Sequence, residues 1–298
     1  MNQRYKGISA LLCGTLIWGT AFIAQSVGMD HIGPMTFQAV RCGLAVVFLV
    51  LLAFCFDLKS HKSNTFFQNW RSKKLWKAGL VCGFFLFIAA GLQQTALVYT
   101  SAGKAGFITA MYIVIVPILG LFLGRKPSPV IWISVLLAVL GLYLLSCMGV
   151  SSINIGDIML LFCALAFAVQ ITLIDLFSGD LDGIRLNCLQ SLFCALFSAV
   201  VMLFTETPTM KSIIACWLPL CYAGILSMGV AYTLQIIGQK YLEPAPASLI
   251  MSLESVFAAV FGWLLLHERM SPWEILGCIL VFSAVILSQA PIRRKKSG

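Results

Sequence analysis

Ten long apolar runs, joined by short polar connectors, fill almost all of this 298-residue chain. A helix of about 20 apolar residues crosses a bilayer. Within hydrocarbon every backbone N–H and C=O must be bonded inside the protein, which only helices and closed barrels achieve. The runs are too long for barrel strands and show no period of two, so they are predicted to be helices. We read spans at 8–27, 34–56, 75–98, 101–122, 129–147, 154–177, 184–204, 212–238, 245–266 and 272–290. Composition agrees, with 60% hydrophobic and 10% charged residues against about 45–50% and 25% in soluble domains. Such a chain cannot cover a water-facing surface. A soluble enzyme is excluded, and so is a disordered chain, which needs the opposite balance. The expected fold class is an all-α polytopic membrane protein with ten transmembrane helices.

The first run follows Arg4 and Lys6 and lacks a small-x-small cleavage site, so it reads as an uncleaved span. The longest polar connector, Asp57 to Lys74, is too short to be a soluble domain. The net charge of +9 does not call for nucleic acid, because the basic residues gather in a few connectors. With the N-terminus in the cytoplasm, 16 of the 20 Lys and Arg fall on that side, two (Lys211 and Arg269) fall outside, and Arg41 and Lys104 lie within spans. The positive-inside rule then puts both termini in the cytoplasm, as a multi-pass protein of a cell membrane. The 11 Cys lie almost all in apolar runs without C-x-x-C spacing. They do not pair with His31, His61 or His267 at metal-ligand spacing, so they read as small core residues. No metal or cofactor is expected.

The two halves resemble each other. At an offset of 149, Trp18 matches Phe167 and Gln38-Ala-Val-Arg41 overlies Asn187-Cys-Leu-Gln190. At 142, Ala89, Gln93, Tyr99, Ala105 and Ile108 match Ala231, Gln235, Tyr241, Ala247 and Ile250. At 143, Leu123-Gly-Arg-Lys-Pro-Ser-Pro129 overlies Leu266-His-Glu-Arg-Met-Ser-Pro272. We divide the chain into residues 1–148 and 149–298. Each unit holds five spans, and an odd number sends the second into the bilayer upside down. Inverted repeats of this kind are a mark of secondary transporters, whose binding site lies near the midplane between the repeats.

Trp18-Gly19-Thr20, Arg41 and Tyr99-Thr-Ser-Ala-Gly-Lys104-Ala-Gly-Phe107 resemble the drug/metabolite transporter superfamily, EamA type. So do Pro117 followed by Leu123-Gly-Arg-Lys126, and Leu253-Glu254-Ser-Val-Phe-Ala258 followed by His267-Glu268-Arg269-Met-Ser271. The resemblance covers essentially the whole chain. It implies ten helices in two inverted five-helix repeats, a bacterial inner membrane, and carriage of small metabolites, often amino acids or related compounds and often outward. Where the family often has Pro after the ninth-span Glu, this chain has Ser255, which implies a weaker kink there.

Charges within spans cost about 2.5–3.5 kcal/mol each at a helix centre and ask for a reason. Glu254 reads either as a proton-coupling or substrate-ammonium site, or as a carboxyl satisfied by a packed partner. Lys104 could hold a substrate carboxylate, pair with an acid, or snorkel to the interface. Arg41, matched by neutral Gln190, reads as a fixed structural charge rather than a substrate contact. Asp175, Asp180 and Asp182 read as a solvated face. Gln93 and Gln94, expected to face Gln235, are candidates for binding a zwitterion through amides, as are Gln25 and Gln170. Their alternative is interhelical bonding. Trp18, Tyr112 and Tyr232 are candidate wall residues of an apolar pocket. Gly79-x-x-x-Gly83 reads as a close-packing face, and Pro117 and Pro219 as kinks.

The expected function is a secondary transporter of a small-molecule substrate, an exporter rather than an enzyme, with possible proton coupling. No G-x-x-x-x-G-K-[ST] loop is present for ATP. A membrane-embedded enzyme is the alternative, but the three His are scattered and His267-Glu268 reads as an outer loop. A non-transporting scaffold would need a soluble module or long tail, and the sequence shows neither.

Overall fold

The computed structural model describes residues 3–59, 66–146, 154–266 and 270–290, and the regular structure among them is entirely helical. The first half comprises α1 (Gln3–Met29), α2 (Pro34–Lys59), the single turn α3 (Phe66–Asn69), α4 (Lys73–Ala96), α5 (Ala102–Thr109), α6 (Tyr112–Phe122) and α7 (Pro129–Ser146). The second comprises α8 (Ile155–Ser178), α9 (Gly183–Thr205), α10 (Met210–Ala215) and α11 (Trp217–Cys221). A π-helical stretch (Tyr222–Ala231) follows, then α12 (Tyr232–Gln239), α13 (Pro244–Met251), α14 (Leu253–Leu266) and α15 (Pro272–Ser288). Among the described residues nine helical segments are long and apolar enough to cross a membrane, and α15 is a shorter apolar helix. This is a polytopic membrane protein. His61 and the His267–Arg269 loop lie outside the described residues.

The surface is inverted relative to a soluble protein. Phe122, Leu136, Leu203, Phe204 and Ile286 point outward with at least two-thirds of their area free. Gln38, Arg41, Gln94, Gln170, Asn187, Gln190 and Gln235 are buried. Lipid takes the apolar exterior, and, among the described residues, each of these polar side chains except Gln235 donates a hydrogen bond inside the bundle.

Small residues set the helix contacts. A Cβ on Gly141 of α7 would sit 2.8 Å from the carbonyl of Gly277 in α15, and one on Gly277 would sit 2.6 Å from that of Gly141. The Gly79 and Gly83 face of α4 packs on α9, where a Cβ on Gly83 would come within 2.7 Å of the Gln190 carbonyl. Gly7 and Gly14 of α1 lie against Gly238 and Ala231. At these points only glycine lets the backbones touch.

Two of the predicted spans are interrupted. The span read at 101–122 breaks between α5 and α6, and the one at 245–266 breaks at Ser252. At the first break the Ile113 N–H bonds to the carbonyl of Ala110, and at the second the Ser255 N–H bonds to that of Ser252. Both bonds step back three residues rather than four, which tightens the turn. The absence of Pro at 255 therefore does not spare this helix its break, because Ser255 supplies the N–H that closes the tight turn. The span read at 212–238 begins at Trp217. Pro219 has no N–H to give Ala215 four residues back, and the chain parts into α10 and α11 at Cys216.

Candidate functional site

The two breaks and the π-helical stretch border one cavity in the bundle. It has a volume of about 540 Å³ including its mouth. Trp18, Phe22 and Gln25 of α1, Arg41 of α2 and Gln93 of α4 form one part of the wall. Thr109 and Tyr112 flank the α5/α6 break, Met251 and Glu254 flank the α13/α14 break, and Phe167 and Ile171 come from α8. Ser227, Met228, Tyr232 and Gln235 complete it from the π-helical stretch and α12. Widened turns are frequent at functional sites because they re-aim side chains within a helix.

The sequence candidates Trp18, Gln93, Tyr112, Tyr232, Gln235 and Glu254 are thus brought together. Two pairs of these wall residues, Gln93 with Gln235 and Tyr112 with Glu254, are 142 positions apart. The Tyr112 hydroxyl donates to Glu254 Oε1 at 3.4 Å. The Trp18 and Tyr232 rings meet edge to face at 5.0 Å. Gln93 donates through Nε2 to Thr109 Oγ1 at 3.3 Å. A tyrosine hydroxyl, two indole and phenol faces and two amides make a wall that is apolar with a few fixed polar points, the usual make-up of a small-molecule site.

Arg41 borders the cavity and is held there by its neighbours. Its Nε donates to Gln38 Oε1 at 3.0 Å, its Nη1 to Gln25 Oε1 at 2.8 Å, and its Nη2 also to Gln38. These acceptors are neutral. Among the described residues no carboxylate lies within ion-pair distance of Arg41, and no cation within that distance of Glu254. Both charged side chains are buried, at 2% and 7% exposure. The Arg41 guanidinium is therefore fixed by neutral oxygens, and Glu254 has the Tyr112 hydroxyl beside it.

Three candidates lie away from the cavity. Gln94 follows Gln93 on the helix, so its side chain points about 100° away; its amide donates to the Gln25 carbonyl at 3.3 Å. Gln170 donates to Gln190 Oε1 at 3.2 Å. Lys104 bonds Asp157 Oδ2 at 2.6 Å, at the starts of α5 and α8. Asp180 and Asp182 are exposed, as a solvated face requires, whereas Asp175 is mostly covered. Asp175 pairs with Arg125, and Asp180 pairs with Lys74 at 2.9 Å. Outside the spans, the hydrogen bond from Lys74 holds the Asp180 carboxyl below its usual range. Asp182 caps α9 by accepting from the Arg185 N–H at 2.9 Å.

Phe22, Thr109, Phe167, Ile171, Ser227, Met228 and Met251 also line the cavity and carry no mark in the sequence, because side chains of these types are ordinary packing residues in apolar spans. Phe167 was within reach, since the offset of 149 pairs it with Trp18. Thr109 and Met251 are likewise 142 apart, each next to a break that hydropathy does not show.

Comparison with known proteins gives the site its setting. The chain is 33% identical over 275 residues to an uncharacterized transporter of Archaeoglobus fulgidus, covering 91% of this chain and 82% of that one. It is 22% identical to the uncharacterized transporter YoaV of Bacillus subtilis, over 98% and 99% of the two chains. It is 25% identical to the threonine/homoserine exporter RhtA of Escherichia coli, over 94% and 89%. A solved crystal structure shares the fold with a TM-score of 0.78 over 95% of this chain and 96% of that one, at 16% identity. The EamA-like transporter family matches residues 5–147 and 154–289, nearly the whole chain, in two units. The chain belongs to the EamA-like transporter family and is a membrane transporter of the drug/metabolite transporter superfamily.

Proposed function

We propose that this protein exports small zwitterionic metabolites, α-amino acids foremost, by alternating access. The carrying observation is that Arg41 and Glu254 wall one cavity with no opposite charge beside either among the described residues. A carboxylate beside Arg41 and an ammonium beside ionised Glu254 would each supply the opposite charge that the wall lacks. The fixed amide oxygens of Gln25 and Gln38 keep the guanidinium in place, so little ordering is left to the substrate. The name of the E. coli relative, an exporter of threonine and homoserine, agrees in substrate class and direction.

The transport cycle rests on ten helices in two inverted five-helix repeats, 1–148 and 149–298, with both termini in the cytoplasm. Tight turns at Ile113 and Ser255, 142 residues apart, support that reading, since discontinuous helices in corresponding positions mark transporter sites. Glu254 binds either a proton or the substrate ammonium, and that competition couples outward substrate to inward proton. In proteoliposomes preloaded in turn with amino acids, nucleosides and sugar phosphates, counterflow is expected with amino acids alone. Glu254→Gln is expected to abolish it in protein that still folds. Arg41→Gln is expected to lower substrate affinity by tenfold or more, given about 1.4 kcal/mol for each factor of ten. Counterflow with another class only, or full activity of Glu254→Gln, overturns the proposal.

A further inference from the structure

One wall of the cavity is held by a residue that does not line it. Ser227, Met228, Tyr232 and Gln235 enter the wall from the π-helical stretch and α12. The Tyr232 N–H bonds to the carbonyl of Ser227, five residues back, and from Tyr232 onward α12 is α-helical, with steps of four. Where a five-residue step gives way to four-residue steps, one carbonyl is passed over. Here it is that of Met228, and a buried carbonyl left without a donor is rare and costly. Asn187 of α9 supplies the donor. It is fully buried, and its Nδ2 donates to the Met228 carbonyl at 2.8 Å and to Thr233 Oγ1 at 2.9 Å. The Gly229 carbonyl lies 3.0 Å from the same nitrogen and takes the Thr233 hydroxyl proton at 2.7 Å. On its other side the Asn187 amide is fixed by Gln190, whose Nε2 donates to Oδ1 at 2.9 Å.

Asn187 is also the mate of Gln38 at the offset of 149. Gln38 Oε1 accepts from Arg41, likewise three residues on, at 3.0 Å. Two amides in corresponding positions thus hold two parts of one cavity wall, Gln38 through a guanidinium and Asn187 through the backbone of the π-helical stretch. We infer that Asn187 is a positioning residue for transport, which keeps this stretch in its π winding and so aims Ser227, Met228 and Tyr232 at the solute. Without the Asn187 donor, the way to satisfy the Met228 carbonyl is a return to α winding, in which the Tyr232 N–H moves to it from Ser227. That shift of one residue turns the side chains on either side of it by about 100° relative to each other. The apparent affinity of a site falls with the fraction of molecules that hold the binding arrangement. The inference rests on the reading of this cavity as the transport site, and does not depend on which class of solute it takes.

The test measures the half-saturating concentration and the maximal rate of counterflow in proteoliposomes, with whichever of amino acids, nucleosides or sugar phosphates the wild-type protein carries. Asn187→Leu is expected to raise the half-saturating concentration about tenfold, with a smaller change in maximal rate, as when about one molecule in ten keeps the π winding. Thr233→Val removes only the hydroxyl between Asn187 and the Gly229 carbonyl. It is expected to act in the same direction by about threefold, and it carries the test if Asn187→Leu does not fold. A purely structural role would lower the unfolding temperature and the yield of folded carrier, and would leave the half-saturating concentration of the folded carrier unchanged. That result in the variants that fold overturns the inference, and so does a loss confined to maximal rate. Counterflow of nucleosides or sugar phosphates alone overturns the zwitterion reading, and Asn187 is then judged on those solutes. No counterflow of any class by folded wild-type protein overturns both.

Discussion

Lys104 shows how far one residue could be read. Its place in an apolar run said that the charge needed a partner, and pairing with an acid was among the readings. That the acid is Asp157, 53 positions on, was not legible, because the contact is made by packing α5 against α8. The two side chains keep only 11% and 8% of their area exposed. Asp157 also accepts from the Asn154 N–H at 2.9 Å, while the Asn154 side chain accepts in return from the Asp157 N–H at 3.1 Å, so one carboxylate serves an ion pair and a helix cap. Removing one partner leaves the other buried and alone. Lys104→Met is expected to cost about 3 kcal/mol, the lower end for a broken buried pair, seen as a fall in the unfolding temperature in detergent. Asp157→Asn should cost less than this if the amide keeps the cap. Glu254 was legible in the same limited way: the sequence marked it as a charge needing explanation, but not that Tyr112 would stand beside it.

At the scale of elements, the apolar runs were legible as nine helical segments long enough to cross a membrane and the shorter α15 among the described residues, and the interruptions stayed hidden. Thr109-Ala-Met111 and Met251-Ser-Leu253 contain neither Gly nor Pro, so no local signal announces the breaks between α5 and α6 or α13 and α14. The π-helical stretch at Tyr222–Ala231 was equally silent, since hydropathy is blind to how a turn is wound. Glycine contacts were half legible. Gly79 and Gly83 announced themselves by spacing, whereas Gly141 and Gly277 find each other only in three dimensions. Gly141→Val would drive α7 off α15, and we expect a cost of at least about 1–3 kcal/mol, as for overpacked cores. Loss of monodisperse protein after solubilisation would report it. Gly43→Ala offers the contrast. A Cβ there meets nothing within 4 Å, and alanine favours the helix by up to about 1 kcal/mol, so unfolding temperature should hold or rise.

At the scale of the whole molecule, the distribution of basic residues predicts orientation. A fluorescent protein fused after Gly298 is expected to mature in the cytoplasm, and an alkaline phosphatase fused there to stay inactive; the reverse pattern would refute the proposed topology. The fold also distributes its ionic contacts unevenly. Lys104–Asp157 joins the start of α5 to the start of α8, and Arg125–Asp175 joins the chain just beyond α6 to the far end of α8. Between α1 and α13 or α14 no ion pair occurs among the described residues. There Gly19 rests directly on Phe257 and Ala258. In mechanical terms α8 and the α5–α6 pair form a strut bolted at both ends, while α1 and α14 are a bearing without bolts. A bolted strut turns as one piece, and a plain bearing is where two parts can slide. Distances between spin labels on α6 and α8 should then stay fixed as substrate is added, and those between α1 and α14 should change.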